Sequence, residues 1–355
     1  MSLVQPKDNI TEGPHMAVTL PEILGKILTY LPLKEVRSVC HFWNDVALSQ
    51  GRLRLRIRTK YGQFPAFCSE MNPNLGRSIT LWSYPGGCYP AERLDFENLS
   101  HLRNKCEDLI HEMHISLTEQ SLLELCQLLE NPANFRNLKY LHLIISDKGF
   151  ASRGTMNLQI LPRIKLTSIK VHTMIENKTQ DNLQNLLNSA LNLERLKLQG
   201  NWLPNMAMTR NLTFFKFLGR ADFSLTELSE ILKHVANSIK ILQIGNIFSW
   251  NRANDGSRLQ LPVMQNLRKF INLNSYVFPC QMVNFSAQRM PQLRSLELRH
   301  PIEKGLGDMI RRGGDTLINS GVTSVTLHPP ISLDVAANLR SQFPNHTNHC
   351  YLEVL

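Results

Sequence analysis

One short phrase recurs along most of this chain and limits what it can fold into: an apolar residue, two others, an apolar residue, one other, and a third apolar residue. It reads "IHEMHI" at 110, "LKYLHL" at 138, "LTSIKV" at 166, "LERLKL" at 193, "LTFFKF" at 212, "IKILQI" at 239, "LRSLEL" at 293 and "VTSVTL" at 322. A slipped version, "LRKFINL", starts at 267, and an incomplete one, "HCYLEV", at 349. The steps between starts are 28, 28, 27, 19, 27, 28, 26, 29 and 27 residues. In a chain that is 43% apolar a single match means little. A train of matches at near-constant spacing means an internal repeat.

The last two apolar positions of each phrase lie two apart and share one face of a strand. A helical period often follows. "TEQSLLELCQLLENP" puts Leu122, Leu125, Cys126 and Leu129 on one face, and Asn131–Pro132 ends it. "QDNLQNLLNSALN" does the same with Leu183, Leu186, Leu187 and Ala190, and "SLTELSEILKHVANS" with Leu225, Leu228, Ile231, Leu232 and Val235. Each unit is therefore strand, loop, helix, loop. One unit cannot bury its own apolar face, but a stack can. The step from 193 to 212 is too short for a helix, and "FSWNRANDGSRLQLPVMQN" has no helical period.

The phrase resembles the leucine-rich repeat, over roughly residues 75–355, although the Asn that usually follows it is mostly missing. The resemblance implies an α/β solenoid with parallel strands on the concave face and helices on the convex face. An ordinary α/β sheet is the alternative.

Residues 19–49, "TLPEILGKILTYLPLKEVRSVCHFWNDVALS", have a different character. Thr19 and Glu22 form a capping box around Pro21. Ile23, Ile27 and Leu28 make an apolar stripe that Leu24 and Leu31 widen, and Pro32 breaks the helix. A second short helix starts near Lys34 and carries Val36, Val39, Cys40 and Trp43. So short a segment cannot bury this much apolar surface on itself. It resembles the F-box in Leu20-Pro21-Glu22, Ile27-Leu28 with Leu31, Leu33-Lys34-Glu35-Val36 and Val39-Cys40-His41-Phe42-Trp43. Between Val36 and Val39 it is about three residues shorter than the usual pattern, nearly one helical turn, and the trailing Leu-Trp of many members is absent. The resemblance implies docking to the Skp adaptor of a cullin–RING ubiquitin ligase. The docking residues would be Leu20, Pro21, Ile23, Ile27, Leu28, Leu31, Leu33, Val36, Val39, Cys40 and Trp43. The organisation expected is a disordered tail (1–18), a helical F-box (19–50), a linker with a cap strand (51–74) and the repeats (75–355).

The residues between the paired apolar positions point away from the core. The central ones read His114, His142, Lys170, Lys197, Lys216, Gln243 and then, past the slip, Glu297 and Thr326. Those before the pair read Glu112, Tyr140, Ser168, Arg195, Phe214, Ile241, Ser295 and Ser324. Strands about 4.8 Å apart stack Lys170, Lys197 and Lys216 into a ladder, with Arg195, His142, Tyr140 and Phe214 beside it. Stacked like charges destabilise a sheet unless solvent or a ligand separates them. The candidate ligand is an acidic or phosphorylated segment of a protein substrate, bound by His142, Lys170, Arg195, Lys197, Phe214 and Lys216. A solvated polar face is the competing reading.

Net charge is +10, and "RLRLRIRTK" at 52–60 concentrates five cations in nine residues. Its strict alternation, with Leu53, Leu55 and Ile57 on one side, reads as a strand capping the first repeat. Nuclear import or nucleic-acid contact is the other use of such a cluster. No apolar run reaches the ~20 residues of a membrane span, and "MSLVQPKDNITEGPH" is expected to be a polar tail rather than a signal peptide. The seven scattered cysteines suggest a reducing compartment, cytoplasmic or nuclear, in which the six N-x-S/T triplets go unused.

Nothing in the chain calls for catalysis, a cofactor or a metal. His111 and His114, three apart on a strand, should face opposite ways. "HTNHC" at 346–350 lacks distant ligands, Gly313–Gly314 follows Arg311–Arg312 as a helix-ending turn, and Cys40 reads as a small buried hydrophobe. The expectation is a non-catalytic substrate receptor. The rivals are an interaction scaffold that assembles no ligase, and a nucleic-acid-associated protein using residues 52–60.

Overall fold

The structure is a computed structural model that describes residues 21–28, 30–31, 39–43, 46, 54–58, 78–82, 110–117, 119–145, 160–173, 180–200, 202–219, 225–246, 261–273, 288–299 and 322–328. The expected tail, Leu20, Leu33, Val36, the turn at Gly313–Gly314 and the phrase at 349 lie outside these residues.

Among the described residues eleven strands form one parallel sheet in which spatial order and chain order coincide. They are β1 (Arg54–Arg58), β2 (Ser78–Trp82), β3 (Ile110–Leu117), β4 (Tyr140–Ile145), β5 (Ser168–Thr173), β6 (Arg195–Gly200), β7 (Phe214–Gly219), β8 (Ile241–Asn246), β9 (Lys269–Asn272), β10 (Ser295–Arg299) and β11 (Ser324–His328). Each complete phrase thus contains a strand, and the basic stretch supplies β1 at one end. The class is α/β. The helices among the described residues are α1 (Pro21–Leu28), α2 (Glu119–Glu130), α3 (Gln180–Ser189) and α4 (Leu225–Val235), and residues 41–43 are also helical.

Parallel neighbours need a return path, and α2, α3 and α4 supply it after β3, β5 and β7. Their apolar stripes are buried as the periodicity requires: Leu122, Leu125, Cys126 and Leu129 on α2, Leu183, Leu186 and Leu187 on α3, and Leu228, Ile231, Leu232 and Val235 on α4. Burial pushes the Cys126 thiol up to about 12, as for an inert core side chain. With the inward strand residues these helices form one continuous apolar cluster running from Ile110 to Val322. Burying each such side chain contributes roughly 1.5–3 kcal/mol.

The short step from β6 to β7 has no helix. Residues 202–213 cross in turns and fill the gap with buried Trp202, Met206 and Leu212. The return starts at Gly200, whose φ is +140°. A Cβ there would sit 2.5 Å from the Thr173 carbonyl oxygen on β5, so only glycine fits.

Two further devices tie unit to unit. Just before each strand from β4 to β11, a backbone N–H donates to the equivalent carbonyl one unit earlier, from Lys139 N to His111 O through Thr167, Glu194, Thr213, Lys240, Arg268 and Arg294 to Thr323. Asn residues preceding the first apolar position of a phrase donate back as well: Asn192 Nδ2 to Ile164 O at 3.1 Å, Asn211 Nδ2 to Leu191 O at 3.4 Å and Asn266 Nδ2 to Asn237 O at 2.6 Å. Buried Arg163 closes α2. Its guanidinium donates to the carbonyls of Leu129 (2.6 Å), Asn134 (2.7 Å) and Asn131 (3.1 Å), and burial lowers its pKa to about 10. The negative end of the helix dipole faces this cation.

Three expectations are corrected. The phrase at 267 is not slipped: Phe270 pairs with Leu242 and Leu296, while Asn272 aligns with Ile244 and Leu298. A buried Asn simply occupies an inward position. His111 does not take the face opposite His114, because Ile110 and Met113 are both buried and His111 and Glu112 bulge between them on the partly exposed side. Opposite them, the register of β2 shifts between Ile79 and Thr80. Cys40 is exposed rather than buried.

Candidate functional site

The backbone register brings the outward side chains into rows. Across β3 to β11 the central row runs His114, His142, Lys170, Lys197, Lys216, Gln243, Ile271, Glu297 and Thr326. The preceding row runs Glu112, Tyr140, Ser168, Arg195, Phe214, Ile241, Lys269, Ser295 and Ser324. Every candidate substrate-binding residue stands where the phrase places it. The β9 pair Lys269 and Ile271 went unread in the sequence because the apparent slip hid it.

Lys170, Lys197 and Lys216 sit on three consecutive strands in direct register. Among the described residues no carboxylate pairs with them. Lys170 is held below the usual lysine value by partial burial and by Lys197. Lys216 is held down by partial burial and then by Lys197, Arg299 and Lys170. Arg299, the last residue of β10, therefore reaches the same patch, though no phrase position flagged it. A cationic cluster that depresses its own pKa values gains from an anion that relieves the repulsion.

Beside the ladder lies an apolar strip. Phe214 is buried although it stands in an outward row, because cations lie over its ring: Arg195 Cζ at 4.7 Å and Lys197 Nζ at 5.6 Å from the centroid. Each contact contributes ~0.5–1 kcal/mol at an exposed site. Ile241 and Ile271 continue the strip across β8 and β9.

The two ends of the central row are closed differently. At one end His114 Nδ1 and His142 Nδ1 are 3.1 Å apart, so one ring donates and the other accepts, and the His114 ring packs 4.9 Å from that of Tyr140. His142 is buried, and burial with Lys170, His114, His172 and Lys197 drops its pKa to about 3. It is neutral at physiological pH and adds no cation to the ladder. At the other end Glu297 meets Lys269 Nζ at 3.0 Å and Arg299 Nη2 at 2.9 Å. Burial disfavours its charge, but hydrogen bonds from Lys269 and Arg299 prevail and hold its carboxyl below the usual range. The open cationic stretch thus runs from Lys170 to Lys216.

The N-terminal segment forms a second candidate surface. On α1 Leu24 is 0% exposed, whereas Ile23 and Ile27 are each 40% exposed. The stripe expected around Ile27 therefore faces out, and of the two residues expected to widen it Leu24 is buried and Leu31 exposed. Leu31 and Val39 are also exposed, and Trp43 is half-buried. The side chains of Pro21 and Leu28 lie outside the described residues.

No group of three or more His, Cys, Asp or Glu side chains among the described residues could hold a metal, and no described helix is long and apolar enough to cross a membrane. No family model and no curated protein matches the chain.

Proposed function

We propose that the chain is the substrate-recognition subunit of an SCF (Skp–cullin–F-box) ubiquitin ligase, with an N-terminal F-box and a leucine-rich-repeat solenoid. The observation that carries this reading is the exposure of Ile23, Ile27, Leu31 and Val39 within a segment bearing the F-box elements. Full burial of such a side chain contributes roughly 1.5–3 kcal/mol, and a partner helix can recover the share that these half-exposed residues leave in water. The in-order parallel sheet supports the repeat reading, since chain order equals spatial order in a solenoid.

In this role the chain performs no chemistry. It holds a substrate segment on the concave cationic rows while the adaptor brings the conjugating enzyme near, and proximity raises the effective concentration of the acceptor lysine. The substrate segment is acidic or phosphorylated, matched to Lys170, Lys197 and Lys216, and carries an apolar residue for the Phe214–Ile241–Ile271 strip. Work of this kind is cytoplasmic or nuclear.

Affinity purification of the intact protein beside an Ile27→Asp variant tests the adaptor half. The Skp adaptor should accompany the first and be lost from the second, with unchanged thermal stability. Equal recovery of the adaptor, or none from either protein, would leave an interaction scaffold instead. Changing Lys170, Lys197 and Lys216 together to Glu should abolish substrate capture and leave adaptor recovery intact.

A further inference from the structure

Outside residues 23–42, the large apolar side chains exposed among the described residues are Leu161, Ile164, Leu191, Met208 and Val263, and all of them stand in turns that precede strands. Because the strands run parallel, those turns lie along one edge of the sheet. Ile164 is 66% exposed and Met208 54%. The Asn192 and Asn211 side chains bind the turns of adjacent units to one another, so Ile164, Leu191 and Met208 follow as a ridge across three units. Solitary exposed apolar residues are ordinary, but an aligned row on rigid turns is not.

The same turns are charged in one sense. Residues 131–138, 161–166, 190–193 and 202–212 contain Arg136, Arg163, Lys165 and Arg210 and neither Asp nor Glu; the carboxylates that border them are Glu130, before the first turn, and Glu194, after the third. Between the first two turns lies a cavity of about 210 Å³ with a floor of Phe135, Leu138 and Leu166, and Ile164, Lys165 and Arg136 line it too. Arg163 also lines this cavity, and its buried Nε has no hydrogen-bond partner. A cavity of ~150 Å³ already accepts a benzene-sized ring.

We propose that this edge is a second docking surface, for an acidic segment of another protein that inserts one bulky apolar side chain between the turns at 131–138 and 161–166. The cations on the turns match the acidic flanks, and Ile164 continues the apolar contact beyond the cavity. A second copy of this chain fits poorly, since each copy carries a net charge of +10. A bilayer needs an apolar ridge but no side-chain cavity, so the cavity favours a protein. The site is separate from the outward rows and from the N-terminal segment, and it stands or falls independently of the ligase reading.

The test is fluorescence anisotropy on the full-length protein. The probe is a labelled peptide library with one fixed Leu, Phe or Trp flanked by Asp and Glu; matched libraries carry Ala at the fixed position or Ser or Lys in the flanks. Binding is expected from the acidic apolar library alone. Ile164→Glu and Lys165→Glu, both at exposed positions, should each weaken it about tenfold, equivalent to ~1.4 kcal/mol. The Lys170/Lys197/Lys216→Glu variant should bind as before. The proposal is overturned if no acidic apolar peptide binds, if the Ala library binds equally well, if the loss appears in the triple-lysine variant instead, or if Ile164→Glu changes only capture by phosphatidylserine vesicles.

Discussion

Helices α1 and α2 have similar amphipathic sequences and opposite fates. On α2 every apolar residue of the stripe is buried, and even Leu123 and Leu128 at its margins are covered. On α1 Leu24 alone is shown buried, while Ile23 and Ile27 stay in solvent. The difference lies in the neighbours. Helix α2 packs against β3 and α3, inside a stack where each unit covers the next. Helix α1 belongs to a segment of about thirty residues, too small to enclose its own apolar surface. An apolar stripe is therefore a core when the chain supplies a second layer, and a contact surface when it does not.

Thiol labelling gives the widest expected separation. In single-cysteine variants, exposed Cys40 should react with a maleimide in the native state. Buried Cys126 should react only through unfolding, at least about a thousandfold more slowly if the stack has ordinary domain stability. Comparable rates would erase the contrast between the regions. Next comes truncation. Phe217→Ala, at a fully buried position on β7, should cost ~3–5 kcal/mol by denaturant unfolding, whereas Ile27→Ala should change stability by less than about 1 kcal/mol.

Removing Arg163 probes whether unit-to-unit bonds, and not apolar contact alone, distinguish the stack. Arg163→Ala leaves the carbonyls of Leu129, Asn131 and Asn134 without that donor and should cost roughly 2–4 kcal/mol. Acid acts on the same region. The folded pKa of His142 lies near 3, below its ordinary 6.5, so the unfolded chain takes up this proton first as pH falls. Stability from His142 is therefore complete above pH 6.5 and falls between there and pH 3, by at most ~1.4 kcal/mol per pH unit. Glu297, also depressed, adds its loss below its ordinary 4.5. A His142→Asn variant should show a flatter melting-temperature profile from pH 6.5 to 5. Finally, Gly200→Ala should cost about 1–2 kcal/mol, because its Cβ would press on backbone at Thr173. A neutral result would mean that the short unit is looser than its neighbours.

Much of this is legible in the sequence. The spacing of the phrase places β3 to β11, the alternation in "RLRLRIR" places β1, and the helical period after "HISL", "TMIENK" and "LGRADF" places α2, α3 and α4; β2 carries no phrase and went unread. Period-two and period-3.6 patterns are local, so they survive as text. The outward rows were equally legible except at β9, since a constant phrase stacked in order fixes which residues become neighbours. Other features were hidden because their causes are not local. Asn272 sits inward where an apolar residue is usual, and only pairing with β8 and β10 restores the register. Arg163 occupies a turn position filled elsewhere by Phe135, Ala190 or Met264, and nothing in "LPRIKL" tells that carbonyls from 29 to 34 residues earlier receive it. The Asn before the first apolar residue of four phrases could have been found, as the recurrent "NL" at 137, 192, 211 and 266.

By itself, then, the sequence determined the repeating strand, its α/β class and the identity of each outward row, because periodicity dictates which face a side chain takes. Tertiary structure alone decided which charges in those rows stay open. Stacking brings Glu297 between Lys269 and Arg299 and sets His142 against His114, and these contacts leave Lys170, Lys197 and Lys216 as the uncompensated stretch. It also decided which apolar stripes remain in water, since burial depends on what the rest of the chain can reach.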